Sequence, residues 1–331
     1  MKTRFSQLNQ IDRRDFIMRA AKAGAAIVAA GGAGLWLHDR KGPSANIVSE
    51  TGSLPDFSLA SAGPKMSIIT GADRVKTANR ALAALGGIER FIKSGDRVVL
   101  KVNAAFASPP ALSATSHPEL VAEVTRLCLR AGAASVLVTD NPINDPQSCF
   151  SLTGIARAAE AAGAKIALPT PSSFKPTTLA DATLIKDWPL LFEPFHGATK
   201  LIGLAPVKDH HRSGASLTMK NWYGLLGGRR NVFHQDINTI IFELARLVRP
   251  TLVILDGTTT MMTNGPTGGS LDDLKTTNTM IASTDAVAAD AFGATLLGKT
   301  PASLPFIGKA AAAGLGTADF ESLNPVRDHV D

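Results

Sequence analysis

The sequence predicts an α/β fold, a mostly parallel β-sheet with helices on both faces. Short, near-continuous apolar runs of the kind found in strands buried on both faces recur along the chain. Segments with helical spacing of apolar residues alternate with these runs, which is the order expected of a parallel sheet. The 331 residues are 45% hydrophobic, too apolar for a disordered chain. No apolar run reaches the roughly 18–20 residues of a confident membrane span.

Strand-like runs and helix-like segments alternate from residue 66 onward. The strand-like runs lie at residues 66–70, 97–103, 135–140, 165–168, 200–208 and 251–256. The helix-like segments lie at residues 73–85, 117–131, 152–162, 237–248, 284–297 and 301–313. Residues 169–199 are rich in Pro, Thr and Phe and interrupt this alternation.

The helix at residues 117–131 has the clearest start. Ser116 and Glu119 have the spacing of a capping box, and Pro118 lies in the first turn. Its apolar face includes Cys128, which is therefore expected to be buried rather than reactive. Cys149 could pair with Cys128 in an oxidising compartment, but their spacing does not decide this.

The basic charge of the chain is concentrated at its N-terminus. Residues 1–45 hold eight Lys and Arg against three Asp and Glu, and so carry five of the six net positive charges. Because residues 46–331 are nearly neutral, we expect no nucleic-acid partner. Residues 46–64 have the composition of a linker, and residues 65–331 are long enough for a single α/β domain.

Residues 1–45 have the layout of a twin-arginine (Tat) signal peptide. The pair Arg13 and Arg14 precedes a weakly hydrophobic, Ala- and Gly-rich stretch at residues 23–37. This layout predicts export by the Tat translocon to the periplasm or beyond, with membrane contact only through this segment. Residues 43–45 form a poor cleavage site, so an uncleaved anchor is an alternative. An ordinary amphipathic helix is the other interpretation.

Polar residues follow several of the predicted strands. Ligands of open α/β sheets bind outside the carboxyl ends of the strands, so such residues are candidates for a shared crevice. A single Asp or Asn after a strand needs no functional explanation, because these residues are common in turns. The candidates are Lys101 with Asn103, Asp140 with Asn141, Lys208 with residues 209–212, and Asp256 with Gly257.

Two Gly-rich segments add to this group, at residues 216–230 and 263–269. Gly-rich turns can present backbone N–H groups to an anion, although the glycines could equally serve tight turns alone. With lysines and arginines nearby, we predict a crevice for a small anionic ligand. Its predicted binding residues are Lys101, Asn103, Asp140, Lys208, Asn221, Arg229, Arg230, Asn264, Gly265, Thr267 and Gly268.

An enzyme of unknown reaction is the favoured function. Lys220, desolvated in such a crevice, could act as a base or a Schiff-base nucleophile, and Asp256 or His211 as the acid–base group. The alternative is a non-catalytic periplasmic binding protein, or one that serves cofactor or metalloprotein maturation. Asp209 with His211 and His234 with Asp236 could ligate a metal, but they form no specific metal-ligand motif, and no metal site is predicted. Adjacent His210 and His211 would point to opposite sides of a strand.

Several familiar signatures mislead or are missing. Residues 293–300 match the phosphate-loop pattern, but the match begins inside a predicted helix, with Gly298 as its expected C-cap. There is no nucleophile elbow and no metalloprotease motif. Two cysteines are too few for a ferredoxin-type cluster.

The mature chain resembles the domain of unknown function 362 family over roughly residues 66–315. The resemblance rests on Lys101-Val102-Asn103 and on residues 220–228, 255–257, 264–269 and 283–290. Many members of that family carry cysteine runs for iron–sulfur clusters. This chain does not, so no iron–sulfur cluster is expected and the cofactor is unknown. The resemblance implies a fold and a site location rather than a reaction.

Overall fold

The computed structural model describes residues 12–36, 53–59 and 63–331. The chain divides into two units, residues 1–49 and 50–331. The suggested cleavage site at residues 43–45 lies outside the described residues, as do residues 46–52 of the predicted linker. In the first unit, the helix α1 (Arg13–Trp36) begins at the twin arginines. None of the helices in the described ranges is both long and apolar enough to cross a membrane.

In the described residues, the second unit is built from strands that alternate with helices. The strands are β1 (Met66–Gly71), β2 (Arg97–Lys101), β3 (Ser135–Thr139), β4 (Lys165–Ala167), β5 (Phe174–Thr177), β6 (Trp188–Leu191), β7 (Lys200–Lys208), β8 (Leu252–Met261), β9 (Leu274–Ser283) and β10 (Val326–Val330). The helices are α2 (Arg74–Ala84), α3 (Pro118–Arg130), α4 (Pro146–Leu152), α5 (Ile155–Ala161), α6 (Thr218–Asn221), α7 (Ile237–Leu247), α8 (Ala286–Leu296) and α9 (Pro305–Ala312).

The predicted mostly parallel sheet is confirmed. Eight strands form one sheet in the order β10-β1-β9-β8-β7-β2-β3-β4, and β5 and β6 form a separate hairpin. Within the large sheet, β9 runs antiparallel to β1 and β8, and the other neighbours pair in parallel.

Helices cover both faces of this sheet. Alternate residues of a strand point to opposite faces, so each strand contributes side chains to the core on either side. Leu252 and Ile254 of β8 belong to a core that includes apolar residues of α2, α3 and α5. Val253 and Leu255 belong to the other core, with residues of α6, α7, α8 and α9. The strands are therefore apolar on both faces, as the near-continuous hydrophobic runs predicted.

Three local predictions were wrong. Helix α3 is capped by His117, whose side chain accepts the Glu119 N–H, whereas the Ser116 hydroxyl donates to the Leu204 carbonyl instead. The helix expected at residues 152–162 is α5, which begins only after Gly154, a residue in a left-handed conformation (φ 71°), and the helix α4 before it was not predicted.

The third difference is at the edge of the parallel region. Strand β8 continues to Met261 and turns back into β9, which the sequence pattern did not predict. Residues 274–278 of β9 are polar or only partly buried, so they lack the apolar run by which a buried strand is recognised. By contrast, Gly298 does follow the end of α8 with φ 69°, so the phosphate-loop pattern lies on a helix C-terminus as predicted.

Candidate functional site

The candidate site lies where the direction of chain progress across the sheet reverses. From β2 the chain proceeds through β3 to β4, whereas β7 and β8 follow on the other side of β2. Such a switch point leaves a crevice at the carboxyl ends of the adjoining strands. A cavity of about 530 Å³ is present there. This volume suits a small ligand.

Most of the predicted site residues line this cavity. They are Asn103, Asp140, Lys208, His211, Lys220, Asn221, Arg230, Asn264, Gly265 and Thr267. Other lining residues belong to the candidate strand ends and Gly-rich segments but were not predicted as binding residues, and these are Asn141, His210, Ser216, Tyr223, Gly224 and Pro266. The remaining lining residues, Ala105, Phe106, Ile143 and His234, lie outside those segments. The lining therefore combines three of the four predicted strand ends, those of β2, β3 and β7, with both Gly-rich segments.

Four predicted residues do not line the cavity. Lys101 is completely buried beneath it, and Gly268 belongs to the same loop as Asn264 without reaching the cavity. Arg229 is exposed, while its neighbour Arg230 points inward. Asp256 accepts a hydrogen bond from Arg74 Nε at 2.8 Å, at the start of α2. Its carboxylate is thus engaged by a cation from outside the cavity lining.

Lys101 and Asp140 form a buried ion pair behind the cavity. Lys101 Nζ lies 2.7 Å from Asp140 Oδ1 and donates to the carbonyls of Val102 and Asn221. Asp140 Oδ2 also accepts the Ala104 N–H at 2.7 Å. Burial lowers the pKa of Lys101, and the Asp140 carboxylate opposes this effect. The negative charge of Asp140 is therefore already compensated by protein groups.

A glycine makes room for this pair. A Cβ atom on Gly224 would lie 2.0 Å from Asp140 Oδ1 and 2.9 Å from Lys101 Nζ. Gly224 lies in the Gly-rich segment that the sequence singled out, in the turn that follows α6. This glycine is therefore required by a close approach to charged side chains, and its own φ is not positive.

Asn221 joins the ion pair to the cavity wall. Its side-chain oxygen accepts from Lys101 Nζ at 3.2 Å and from Asn103 Nδ2 at 3.3 Å. Its side-chain nitrogen donates to the carbonyls of Lys101 and Leu204. Both amides are thereby oriented, which fixes the wall between β2 and α6.

Lys208 is a buried cation held by weak acceptors. Its Nζ donates to the Ala114 carbonyl at 2.5 Å and to Asn103 Oδ1 at 3.4 Å, with no carboxylate partner among the described residues. Burial lowers its pKa to about 7, and the nearby Lys220 cation contributes to this shift. The Asp140 carboxylate opposes this shift without contacting the amino group.

Lys220 is the least engaged of the buried lysines. It is 8% exposed and lines the cavity, and its Nζ lies 4.7 Å from the centre of the Tyr223 ring. Among the described residues, neither a carboxylate nor a hydrogen-bond acceptor pairs with this Nζ. Burial lowers its pKa to about 7, assisted by the Arg230 cation.

The short helix α6 positions Lys220 through a buried carboxylate. Asp290 of α8 accepts the N–H groups of Thr218 and Met219 and the Thr218 hydroxyl. These bonds satisfy donors at the start of α6. Burial raises the pKa of Asp290 to about 7 in spite of them. Asp290 lies in the last stretch that resembled the family, and its sequence neighbours gave no sign of this capping role.

Three histidines stack at one side of the cavity, which corrects the expectation that His210 and His211 face opposite sides of a strand. Strand β7 ends at Lys208, and the turn that follows places the two rings 5.1 Å apart and nearly parallel. His234 stacks on His210 at 6.0 Å between ring centres.

The hydrogen bonds of His210 fix its tautomer. Its Nδ1 accepts the backbone N–H groups of Arg212 and Ser213, at 3.1 and 3.2 Å. The neutral ring therefore carries its proton on Nε2. Burial and the Lys220 cation lower the pKa of His210 to about 2, so this ring stays a neutral donor.

Arg230 and Tyr223 also line the cavity. The Arg230 guanidinium donates to the carbonyls of Leu226 and Pro142 at 3.2 and 2.9 Å and lies over the Tyr223 ring. The Tyr223 hydroxyl donates to the Arg230 carbonyl at 2.5 Å, and burial raises its pKa to about 12. Within the described part of the chain, the guanidinium is hydrogen-bonded only to neutral carbonyls, although the nearby Asp140 carboxylate opposes the lowering of its pKa by burial.

The loop at residues 263–269 forms the outer wall. Asp273 holds it by accepting from the Thr263 hydroxyl and from Asn264 Nδ2. A Cβ on Gly265 would lie 1.9 Å from the Asp209 carbonyl oxygen, so this loop packs on the end of β7 only with glycine there. His211 is exposed, and its Nδ1 lies 3.3 Å from the Gly265 carbonyl.

The described residues contain no cluster of three or more His, Cys, Asp or Glu side chains arranged to hold a metal ion. Cys128 and Cys149 are both free and buried. Burial raises their pKa values, to about 12 and about 11. The expectation that Cys128 is a core residue is confirmed.

The structure is that of an α/β protein with a cavity at the switch point of its sheet. The chain belongs to the domain of unknown function family DUF362, whose model matches residues 98–295. It is 27% identical over 254 residues to a thylakoid-associated protein of Synechocystis sp., a match that covers 74% of this chain and 76% of that one.

Two solved structures are also similar. The lactate racemase apoprotein from Thermoanaerobacterium thermosaccharolyticum is 12% identical, with a TM-score of 0.40, over 73% of this chain and 58% of that one. A Thermotoga maritima protein is 12% identical, with a TM-score of 0.37, over 74% of this chain and 60% of that one. The chain thus spans less than two thirds of the length of either structure.

Proposed function

We propose that this chain is an enzyme that binds a small anionic substrate in the cavity at the switch point. One observation carries the proposal. Lys208, Lys220 and Arg230 line the same cavity, whereas the lining carboxylate of Asp140 is already paired with Lys101. The described lining is therefore cationic when both lysines are protonated.

This arrangement favours an anion for energetic reasons. A buried charge without a partner is costly, and a ligand carboxylate or phosphate would remove that cost. Arg230 is suited to grip two oxygens of one anionic group, and Lys208 acts as a point charge. The neutral His210 supplies a further donor through Nε2–H.

Lys220 is the group best placed for chemistry. Because no acceptor among the described residues stabilises its ammonium form, Lys220 can lose its proton and then take one from a bound substrate or attack it. A buried amine with a pKa near 7 exists in both forms at neutral pH, as a general base requires. Asp256 pairs with Arg74, which makes it a weaker candidate for the acid–base role.

The test is a measurement of anion binding followed by turnover. We expect small di- and monocarboxylates or phosphate to raise the melting temperature of the purified protein, and Lys220→Met to weaken the effect. Lys186→Met, which changes an exposed lysine, is the matched control. If none of these anions raises the melting temperature, the proposed ligand class is wrong.

A non-catalytic binding protein is the second candidate. It is favoured by the fact that Asp140, the carboxylate on the described lining, is neutralised by Lys101 rather than free for proton transfer. An enzyme would convert the bound anion into a product, whereas a binding protein would leave it unchanged. A bound anion that is recovered chemically unchanged after prolonged incubation would support the binding protein.

We also propose that residues 1–45 direct export by the Tat translocon, supported by the paired Arg13 and Arg14 at the start of α1. Replacement of both arginines by lysine is expected to leave the protein in the cytoplasm, as measured by cell fractionation. Export that continues unchanged in the double variant would contradict this assignment.

A further inference from the structure

The buried lysines of the site differ in what their amino groups touch. Lys101 Nζ is bound by Asp140 and two carbonyls, and Lys208 Nζ by the Ala114 carbonyl. Lys220 Nζ has no such acceptor among the described residues, although the side chain is more than nine-tenths buried. An acceptor would stabilise the ammonium form, so the lack of one makes this amine easier to deprotonate than Lys101 or Lys208.

The environment keeps a fraction of this amine neutral at neutral pH. Burial disfavours the ammonium form, and the Arg230 cation disfavours it further. A lysine next to another cation in a desolvated pocket is the arrangement that activates an amine as a nucleophile. Lys208 has a similarly lowered pKa, but its Nζ donates to the Ala114 carbonyl, a bond that is stronger for the ammonium form than for the neutral amine.

The position of Lys220 is also fixed. Helix α6 is capped by Asp290, and the next residue, Trp222, packs so closely on Gly203 that a Cβ there would lie 2.7 Å from Trp222 Cη2. A nucleophile on such an anchored backbone is held in place before the substrate arrives.

The groups around the Lys220 amine determine which class of substrate the cavity binds. Arg230 and Lys208 favour a carboxylate, and the Nε2–H of His210 can donate to a carbonyl oxygen. A small molecule with a carbonyl next to a carboxylate would satisfy both requirements in a cavity of about 530 Å³.

We propose that Lys220 forms a Schiff base with a small 2-oxo acid. The inference rests on the proposed function, since it assigns the substrate class of the same cavity. The Nζ lone pair attacks the carbonyl carbon, and a carbon–nitrogen bond forms. The carbonyl oxygen then leaves as water with the two protons of the amine, so that an imine and one water are the products.

The experiment is reductive trapping. The full-length protein is incubated with pyruvate and sodium cyanoborohydride, which supplies the hydride that reduces the imine, and then digested for peptide mass mapping. We expect one N-(1-carboxyethyl) group per chain, on the peptide that contains Lys220. Acetone, a ketone without a carboxylate, should give at least about tenfold less adduct at equal concentration.

Variants locate the reaction. Lys220→Arg keeps the charge but lacks a nucleophilic amine, and Lys220→Gln guards against a misfolded arginine variant. Both should lose the adduct while retaining the cooperative thermal transition of the parent. Lys186→Gln should retain the adduct. An adduct on Lys208, or adducts spread over exposed lysines, would overturn the inference.

Oxalate, a dianion without a reactive carbonyl, separates the two proposals. If oxalate raises the melting temperature and pyruvate gives no adduct on Lys220, the Schiff base is wrong and the anion cavity stands. If neither anion changes the melting temperature and no adduct forms, both proposals fail. Protection of Lys220 from pyruvate by oxalate would support both.

Discussion

Lys101 Nζ and Asp140 Oδ1 lie 2.7 Å apart at the ends of two neighbouring parallel strands, and both side chains are buried. Asp140 is the carboxylate on the described cavity lining, and its charge raises the pKa of Lys208 and of Arg230. Lys101 nevertheless holds this carboxylate in a direct ion pair. When Lys208 and Lys220 are both protonated, the described lining therefore keeps a net positive charge.

Removal of one member of this pair should be strongly destabilising. Asp140→Ala leaves Lys101 buried without a carboxylate, and we expect it to lower the free energy of unfolding by about 3 kcal/mol. The double variant, Lys101→Met with Asp140→Ala, should lose less free energy of unfolding than the sum of the losses of the two single variants. Urea unfolding of the four proteins measures this coupling. Additive losses would show that the two charges do not stabilise each other.

Gly224 should not tolerate a methyl group. Because the added Cβ would lie 2.0 Å from Asp140 Oδ1, we expect Gly224→Ala to cost about 1–3 kcal/mol of unfolding free energy. Gly269→Ala is the control, since nothing lies within 4 Å of a Cβ at that position. Its effect should stay within about 0.5 kcal/mol. Equal losses for the two variants would argue against the close packing at Gly224.

Replacement of Lys220 should stabilise the protein while it impairs binding. Lys220→Met removes a buried, unpaired cation, and we expect a gain on the order of 2 kcal/mol at pH 6. The folded-state pKa, about 7, is below that of an unfolded lysine. The penalty is therefore full below pH 7 and declines as the pH rises toward the unfolded value. A gain that is the same at pH 6 and pH 9 would contradict this account.

Anion affinity should fall as the pH rises. A bound anion raises the pKa of Lys208 and Lys220 from about 7, so binding above pH 7 takes up protons. We expect oxalate affinity to be nearly constant below pH 6 and to fall by up to about tenfold per pH unit for each proton taken up. Calorimetric titration in buffers of different ionisation enthalpy measures the uptake. In Lys220→Met, oxalate affinity should fall less steeply with pH, because one of the two titrating lysines has been removed.

Much of this fold could be predicted because its signals are local. Apolar strands such as β7 and the amphipathic helix α7 are visible in short windows of sequence, and β7 has the predicted bounds. Strand β9 could not be found this way, since its polar first half pairs with β8 only after the chain has turned back. Its position depends on a long-range partner rather than on its own pattern.

The sequence by itself determined that polar residues follow β2, β3 and β7, and that a Gly-rich segment with Lys220 and Arg230 was a candidate for the same crevice. It also predicted a strand end at Asp256, which instead lies inside β8. Only the tertiary structure decided which side chains reach it. Asp256 is taken by Arg74, Arg229 points to solvent, and the histidines stack because β7 ends two residues before His210. The physical reason is that side-chain direction depends on register and on where a strand stops. Both are set by packing against residues far away in the chain.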